Sequence, residues 1–238
     1  MVAAAADRYG ASFRSERVRL ADGPNLEARA RHARFEVLGF DAATGHTADD
    51  QAETVLANLL RGAGVDGLAA MRAGPRHPLL ALRRSETVAL CENQGLDPIV
   101  DPSNDDPRFL RNRIRRELLP LCSMLAGRDV VPVLARQAGV LAGDADVLDA
   151  VAGLIDPSDA VAVAGAPEPV ARRAIRRWLT GKGPYPPPLD AVERVLAVAR
   201  GDRLATEVPG GRRVARSRGR MSVTDVIVDT GSSGTVAP

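Results

Sequence analysis

The chain has 238 residues, 45% of them hydrophobic and 26% charged, with a formal net charge of +2. That length gives one large domain or two modest ones, and a charge so near neutrality points to no nucleic-acid partner unless basic residues cluster. Cys91 and Cys122 stand far apart with no Cys-x-x-Cys pattern, which excludes a cysteine metal framework or a disulfide scaffold, and no apolar run is long enough to span a membrane, so a cytoplasmic protein with no membrane contact is expected.

Residues 1–9 read as the end of a helix stopped by Gly10. Residues 11–20, with Phe13, Val18 and Leu20, read as a strand. Asn25 is placed to cap a helix that runs to about Gly39 with Leu26, Ala30, Ala33 and Val37 on one face. A short apolar stretch, Ala42 to Gly45, leads to a second helix capped by Thr47. Strand, helix, strand, helix implies a parallel sheet with crossover helices, an α/β fold. Residues 62–76 are a glycine-rich loop, 84–94 another helix, 101–107 a turn cluster, and 109 to about 154 mainly helical. Beyond lie a strand near 160–164, helices at 167–180 and 189–200 around a proline-rich break, and short strands between 207 and 228. Residues 231–238 read as a disordered tail.

Three stretches carry chemistry. In Gly45-His46-Thr47-Ala48-Asp49-Asp50-Gln51-Ala52-Glu53-Thr54, a strand meets a helix, and His46, Asp49, Asp50 and Glu53 fall at i, i+3, i+4 and i+7. Such a junction lies at the sheet edge where ligands bind. Carboxylates there suit the helix dipole and could hold Mg²⁺. Thr47 and Asp50 are equally an ordinary capping pair. Arg61 ends that helix before a run of glycines, where an arginine suits a phosphate or a developing anion, or merely the helix dipole. The third stretch places five arginines, at 108, 111, 113, 115 and 116, within nine residues. On a regular helix Leu110, Ile114 and Leu118 make an apolar stripe, and Arg111 and Arg115 share another line. A face that positive suits a phosphate backbone, although the chain has a single lysine, Lys182, and uses arginine everywhere else. A second basic group, Arg212, Arg213, Arg216, Arg218 and Arg220, is a weaker candidate of the same kind.

Taken in order, GHTADDQAET (45–54), LLRGAGVDGL (59–68), Pro78-Leu79-Leu80 with Arg83 and Glu86, and DPSNDD…FLRNRIRRELLP (101–120) resemble the tRNA(Ile)-lysidine synthase family of PP-loop ATPases. The first of these is shared with PP-loop enzymes that thiolate tRNA, an alternative the arginine-rich segment argues against. The resemblance implies an incomplete parallel-sheet PP-loop ATPase domain over 1–122, a helical linker and tRNA-binding or substrate-binding domain over 123–230, and a tail over 231–238. It implies a ligase that uses ATP and Mg²⁺ to join free L-lysine to C2 of the wobble cytidine of the isoleucine tRNA, through an adenylated intermediate. Asp49, Asp50 and Arg61 would then be catalytic, His46 and Glu53 would bind ATP and lysine, and Arg111, Asn112, Arg113 and Arg115 would contact tRNA. A homodimer is left open. The family's Ser-Gly-Gly-x-Asp-Ser phosphate loop is not found in the 238 residues. The expectation is an N-terminally truncated synthase, with a catalytically dead tRNA-binding fragment as the alternative.

Overall fold

The computed structural model describes residues 2–21, 23, 26–96, 98, 106–180 and 186–225. Helix α1 (Val2–Arg8) ends before Gly10, whose φ of +65° is the left-handed geometry that glycine adopts without penalty. Residues 11–20 do not form the expected strand. They run as irregular chain, with Phe13 49%, Val18 46% and Leu20 39% exposed. A strand needs a neighbouring ladder to satisfy its backbone, and none lies beside this one among the described residues. Val18 and Leu20 instead face Ala30, Ala33 and Val37 of α2 (Leu26–Leu38) across an open hollow of about 400 Å³. The proposed cap Asn25, the turn residues 101–105 and the tail 231–238 lie outside the described residues.

Residues 42–45 also form no strand. The described residues contain helices and a sheet, but the sheet is antiparallel and lies late in the chain. Helix α3 (Ala48–Leu60) is the element on which the first half is organised. Ala48, Ala52, Val55, Leu56 and Ala57 are buried, with Ala52 and Ala57 at most 1% exposed. Ala48, Ala52, Leu56 and Ala57 pack with Ile114, Leu119 and Val131. Two amides clamp the following loop onto α3. Gln51 exchanges hydrogen bonds with the backbone of Met71 (Nε2 to O 2.8 Å, N to Oε1 3.0 Å), and Asn58 Nδ2 donates to Gly67 O at 2.6 Å. Gly67 sits in the short helix α4 (Val65–Leu68), where an added Cβ would lie 2.5 Å from that of Ala63, so only glycine fits.

After α5 (Arg84–Asn93), the arginine-rich stretch folds as α6 (Leu110–Arg113), a π-helical turn (Ile114–Leu118) and α7 (Leu119–Ala126). The Leu119 N–H bonds to Ile114 O, five residues back. Pro120 explains the turn: it has no N–H to give and its ring crowds the carbonyl four residues earlier. The consequence is a change of phase. The buried pair is Ile114 and Leu119, with Leu110 and Leu118 only partly covered. On a regular helix, residues five apart point about 140° away from each other. Gly127, in the left-handed region, ends α7, and α8 (Val131–Gly153) follows.

The chain divides into two compact units, Met1–Ala142 and Gly143–Pro238. In the second, α9 (Ala160–Gly165) replaces the expected strand at 160–164. The alternation of alanine and valine reads as period two, but Asp159 caps the segment, accepting from Val161 N and Ala162 N, and buries Ala160 and Val163 at helical spacing. Helices α10 (Glu168–Thr180) and α11 (Leu189–Arg200) occupy the expected spans. They share a core with Val208, Val214 and Met221 from β1 (Ala205–Val208), β2 (Arg212–Ser217) and β3 (Arg220–Asp225), an antiparallel meander. Arg218 and Gly219, both at positive φ, make the two-residue hairpin between β2 and β3.

Candidate active site

Thr47 begins α3 as expected. Its N–H and its hydroxyl both donate to Asp50 Oδ2 at 2.8 Å, so the capping pair is real and fixes the Asp50 carboxylate at the first turn. Asp49 and Glu53 stand beside it on the next exposed-to-buried gradient, Glu53 being only 2% exposed.

Three guanidinium groups close over these carboxylates. Arg83 forms a fork with Asp49 (Nε to Oδ2 and Nη2 to Oδ1, both 3.1 Å) and also pairs with Asp129. The Arg84 N–H donates to Asp49 Oδ2 at 2.7 Å, and its Nη2 bridges Asp50 Oδ1 at 2.8 Å and Glu53 Oε1 at 3.1 Å. Arg115, projecting from the π turn, forks onto Glu53 (Nε to Oε1 2.7 Å, Nη2 to Oε2 3.1 Å) and lies 3.7 Å from Asp50 Oδ1. Fork geometry holds a planar carboxylate more firmly than a single bond does. Among the described residues four carboxylates thus share three guanidinium groups. A recess of about 200 Å³ opens here, lined by Asp49, Glu53, Arg84 and Arg115 and by the apolar Leu119 and Val131. Mg²⁺ does not fit these carboxylates as arranged: their oxygens already accept from arginines, and no cluster among the described residues is suited to a metal ion.

Burial pushes the Asp50 carboxyl up, but the two Thr47 bonds and the Arg84 charge outweigh it and hold it below its ordinary value of 3.8. For Asp49 burial is likewise outweighed, by Arg83 and by the Arg84 N–H. Arg115 is held more firmly protonated, chiefly by its bond to Glu53. The sign follows: carboxylates with lowered folded values contribute stability that is full above about pH 4, the unfolded value, and is lost as pH falls through the folded values. Acid titration of the full chain, followed by circular dichroism, should therefore show stability dropping below pH 4. In an Asp49→Asn, Asp50→Asn variant that drop should be smaller; an equal drop would place the acid-sensitive groups elsewhere.

His46 stands one residue before this cap. Its Nδ1 is 2.6 Å from Thr44 Oγ1, and its ring stacks on that of His77 with centroids 5.4 Å apart. Glu53, which the resemblance assigns with His46 to ATP and lysine binding, accepts from both Arg84 and Arg115. Arg61 caps the opposite end of α3, about 18 Å along the helix from Asp49, and is not brought to the carboxylates. Arg115 joins the acidic cluster. Arg113 forms an exposed i,i+4 pair with Glu117 at 3.3 Å, and Asn112 is buried, donating to Asp106 O at 2.8 Å. Arg111 is half-buried on α6. In the second basic group, Arg212, Arg216 and Arg220 are spent on Leu179 O, Ala199 O and Asp156. Sequence reading missed Arg83, Arg84 and Asp129 as members of the site. The available signal was the paired arginine just before a helix whose third residue, Glu86, accepts from the Arg83 N–H at 2.6 Å.

Family comparison gives the class of protein to which this carboxylate and arginine cluster belongs. Residues 1–122 match the PP-loop domain, and residues 159–221 match the TilS substrate binding domain. The chain is 40% identical to the tRNA(Ile)-lysidine synthase of Nocardia farcinica, over 93% of this chain and 78% of the relative. It is 39% identical to that of Cutibacterium acnes, over 80% and 64%, and 40% identical to that of Rhodococcus erythropolis, over 86% and 70%. The chain belongs to the tRNA(Ile)-lysidine synthase family. Among the described residues no single helix is long and apolar enough to cross a membrane.

Proposed function

We propose that the chain catalyses lysidine formation on an isoleucine tRNA. The cytidine O2 attacks the α-phosphorus of ATP, a P–O bond forms and pyrophosphate leaves. The amine of lysine then attacks C2, and O2 departs with AMP. The amine arrives as an ammonium and must shed a proton before it attacks. The observation that carries this reading is the cluster around α3, where the described residues set four carboxylates against three guanidinium groups, beside a recess of about 200 Å³ with an apolar wall. An alkyl ammonium matches both features: a cation for the carboxylates and a methylene stem for Leu119 and Val131. Arg84 Nη2, holding two carboxylates through one nitrogen, is the partner an incoming ammonium displaces most easily. Mg²⁺ enters with the ATP phosphates and not as a ligand of Asp49, Asp50 or Glu53.

Arg111, Arg113 and the neighbouring arginines are the proposed tRNA-facing set. Arg113→Ala should weaken tRNA binding and flatten the slope of log Kd against log salt by about one unit. Its exposed pair with Glu117 contributes little to stability, so Tm should not move. An unchanged slope would assign this side chain to the helix surface alone.

The reading is tested by incubating isoleucine tRNA, ATP, Mg²⁺ and labelled lysine with this chain and with one joined to an amino-terminal strand and Ser-Gly-Gly-x-Asp-Ser loop. Lysine transfer to the tRNA by either supports it. No transfer by either, with tRNA still bound, replaces it with a binding role.

A further inference from the structure

The three arginines of the carboxylate cluster are not held alike. Arg83 commits all three guanidinium nitrogens, to Asp49 and Asp129, and Arg115 forks onto Glu53 through two. Arg84 reaches Asp50 and Glu53 through Nη2 alone, and its Nε and Nη1 make no bond among the described residues. Its backbone, by contrast, is fixed at the start of α5. The N–H donates to Asp49 Oδ2 at 2.7 Å, and the carbonyl accepts from Thr87 Oγ1 at 2.8 Å. The base of the side chain is anchored, while its charged end rests on a single nitrogen and the whole is 34% exposed.

The carboxylates keep their places without Arg84. Asp50 Oδ2 is held by both Thr47 donors, and Glu53 by the Arg115 fork. An ammonium entering the recess, which Glu53 and Arg84 both line, takes the Nη2 position on Asp50 Oδ1 and Glu53 Oε1. Arg84 then loses the partners of its charge. A cation left unpaired in a partly desolvated site costs more than the bond it gave up. A plain amine brings nothing to offset that. An α-amino acid does, because its ammonium and carboxylate sit on one carbon: the group that displaces Arg84 arrives with an anion beside it. Once Nη2 is released, both forks of the guanidinium, Nη2 with Nε and Nη2 with Nη1, are open to that carboxylate.

We propose that Arg84 selects a free α-amino acid over a plain amine by exchanging partners with it: the α-ammonium takes Asp50 and Glu53, and Arg84 turns to the α-carboxylate. Every charge has a partner before and after the exchange. The side-chain amine stays at the far end of the methylene stem, free to act as the nucleophile. That the amino acid is lysine rests on the lysidine-forming reading, but the exchange itself needs neither tRNA nor ATP.

Calorimetric titration of the full chain with L-lysine and with cadaverine, which has the same stem and two amines but no carboxylate, tests this. The parent should bind lysine about tenfold more tightly, a ratio between those expected of exposed and buried ion pairs. Arg84→Met removes both the cation that cadaverine would strand and the competitor for the carboxylates. Cadaverine should then bind several-fold better than it does to the parent, until the two ligands bind alike. Arg84→Lys, which keeps a cation there, should keep lysine ahead. A side chain that only supports the fold would weaken both ligands together and leave their ratio unchanged in Arg84→Met, and that result overturns the proposal. Equal affinities in the parent, or no lysine binding by it, overturn it without recourse to any variant. Lysidine formed by a chain that shows no such preference would remove Arg84 from selection and spare the reaction. The expected ratios with no transfer to tRNA would count against the reaction and leave the exchange standing.

Discussion

Replacing Arg115 by alanine should destabilise the first unit by about 3 kcal/mol, the low end of the range for stripping one partner from a buried ion pair. Glu53 is 2% exposed and takes both bonds of the Arg115 fork. Without them its charge keeps, among the described residues, Arg84 Nη2, one nitrogen already shared with Asp50. Urea unfolding followed by circular dichroism measures the loss. The double variant Arg115→Met, Glu53→Leu should recover most of it, because two apolar groups need no mutual compensation. A single-variant loss below about 1 kcal/mol, the range of surface ion pairs, would mean that the pair behaves as an exposed one.

Asp50→Ala should reduce lysidine formation by a factor of about 10² to 10³, the scale on which removal of one well-placed electrostatic group is felt, while tRNA affinity stays within about twofold of the parent, since phosphate contacts elsewhere dominate binding. Asp50 supports three things at once: it caps α3 through Thr47, holds Arg84, and its charge acts on His46. The cap alone accounts for about 1 kcal/mol of stability, so the protein should remain folded at 25 °C. Turnover retained at the parental level would remove Asp50 from the chemistry and leave it a capping residue.

The helices were legible where a cap and a stop agree. Thr47 before α3 and Gly10 after α1 each announce themselves through local backbone chemistry. Half of the site was legible for the same reason, since His46, Asp49, Asp50 and Glu53 lie within eight residues of one another. The other half was not. Arg83 and Arg84 meet these carboxylates from 31 to 35 positions away, and Arg115 meets Glu53 from 62. No local period encodes a contact of that separation. Arg115 was read with Arg111 on one outward line because a regular helix was assumed, and the π turn alters that phase. At 160–164 the alternation of alanine and valine fits either period over so short a run, and only the Asp159 cap decides. The apolar residues of 11–20 have the composition of a strand, yet a strand is defined by its neighbour, and none is described here.

The π turn also changes what kind of mutation this segment tolerates. A bulge of this type holds one residue more than the regular helix would need, so the segment is, in effect, a helix carrying an insertion. Deleting a residue from a regular helix such as α3 would turn everything on one side of the gap by about 100° relative to the other. Deleting Arg116 would not: the Leu119 N–H to Ile114 O bond would become an ordinary bond over four residues, and the two flanks would keep their faces. Homologous chains that are one residue shorter in this region should therefore lose it within 114–118.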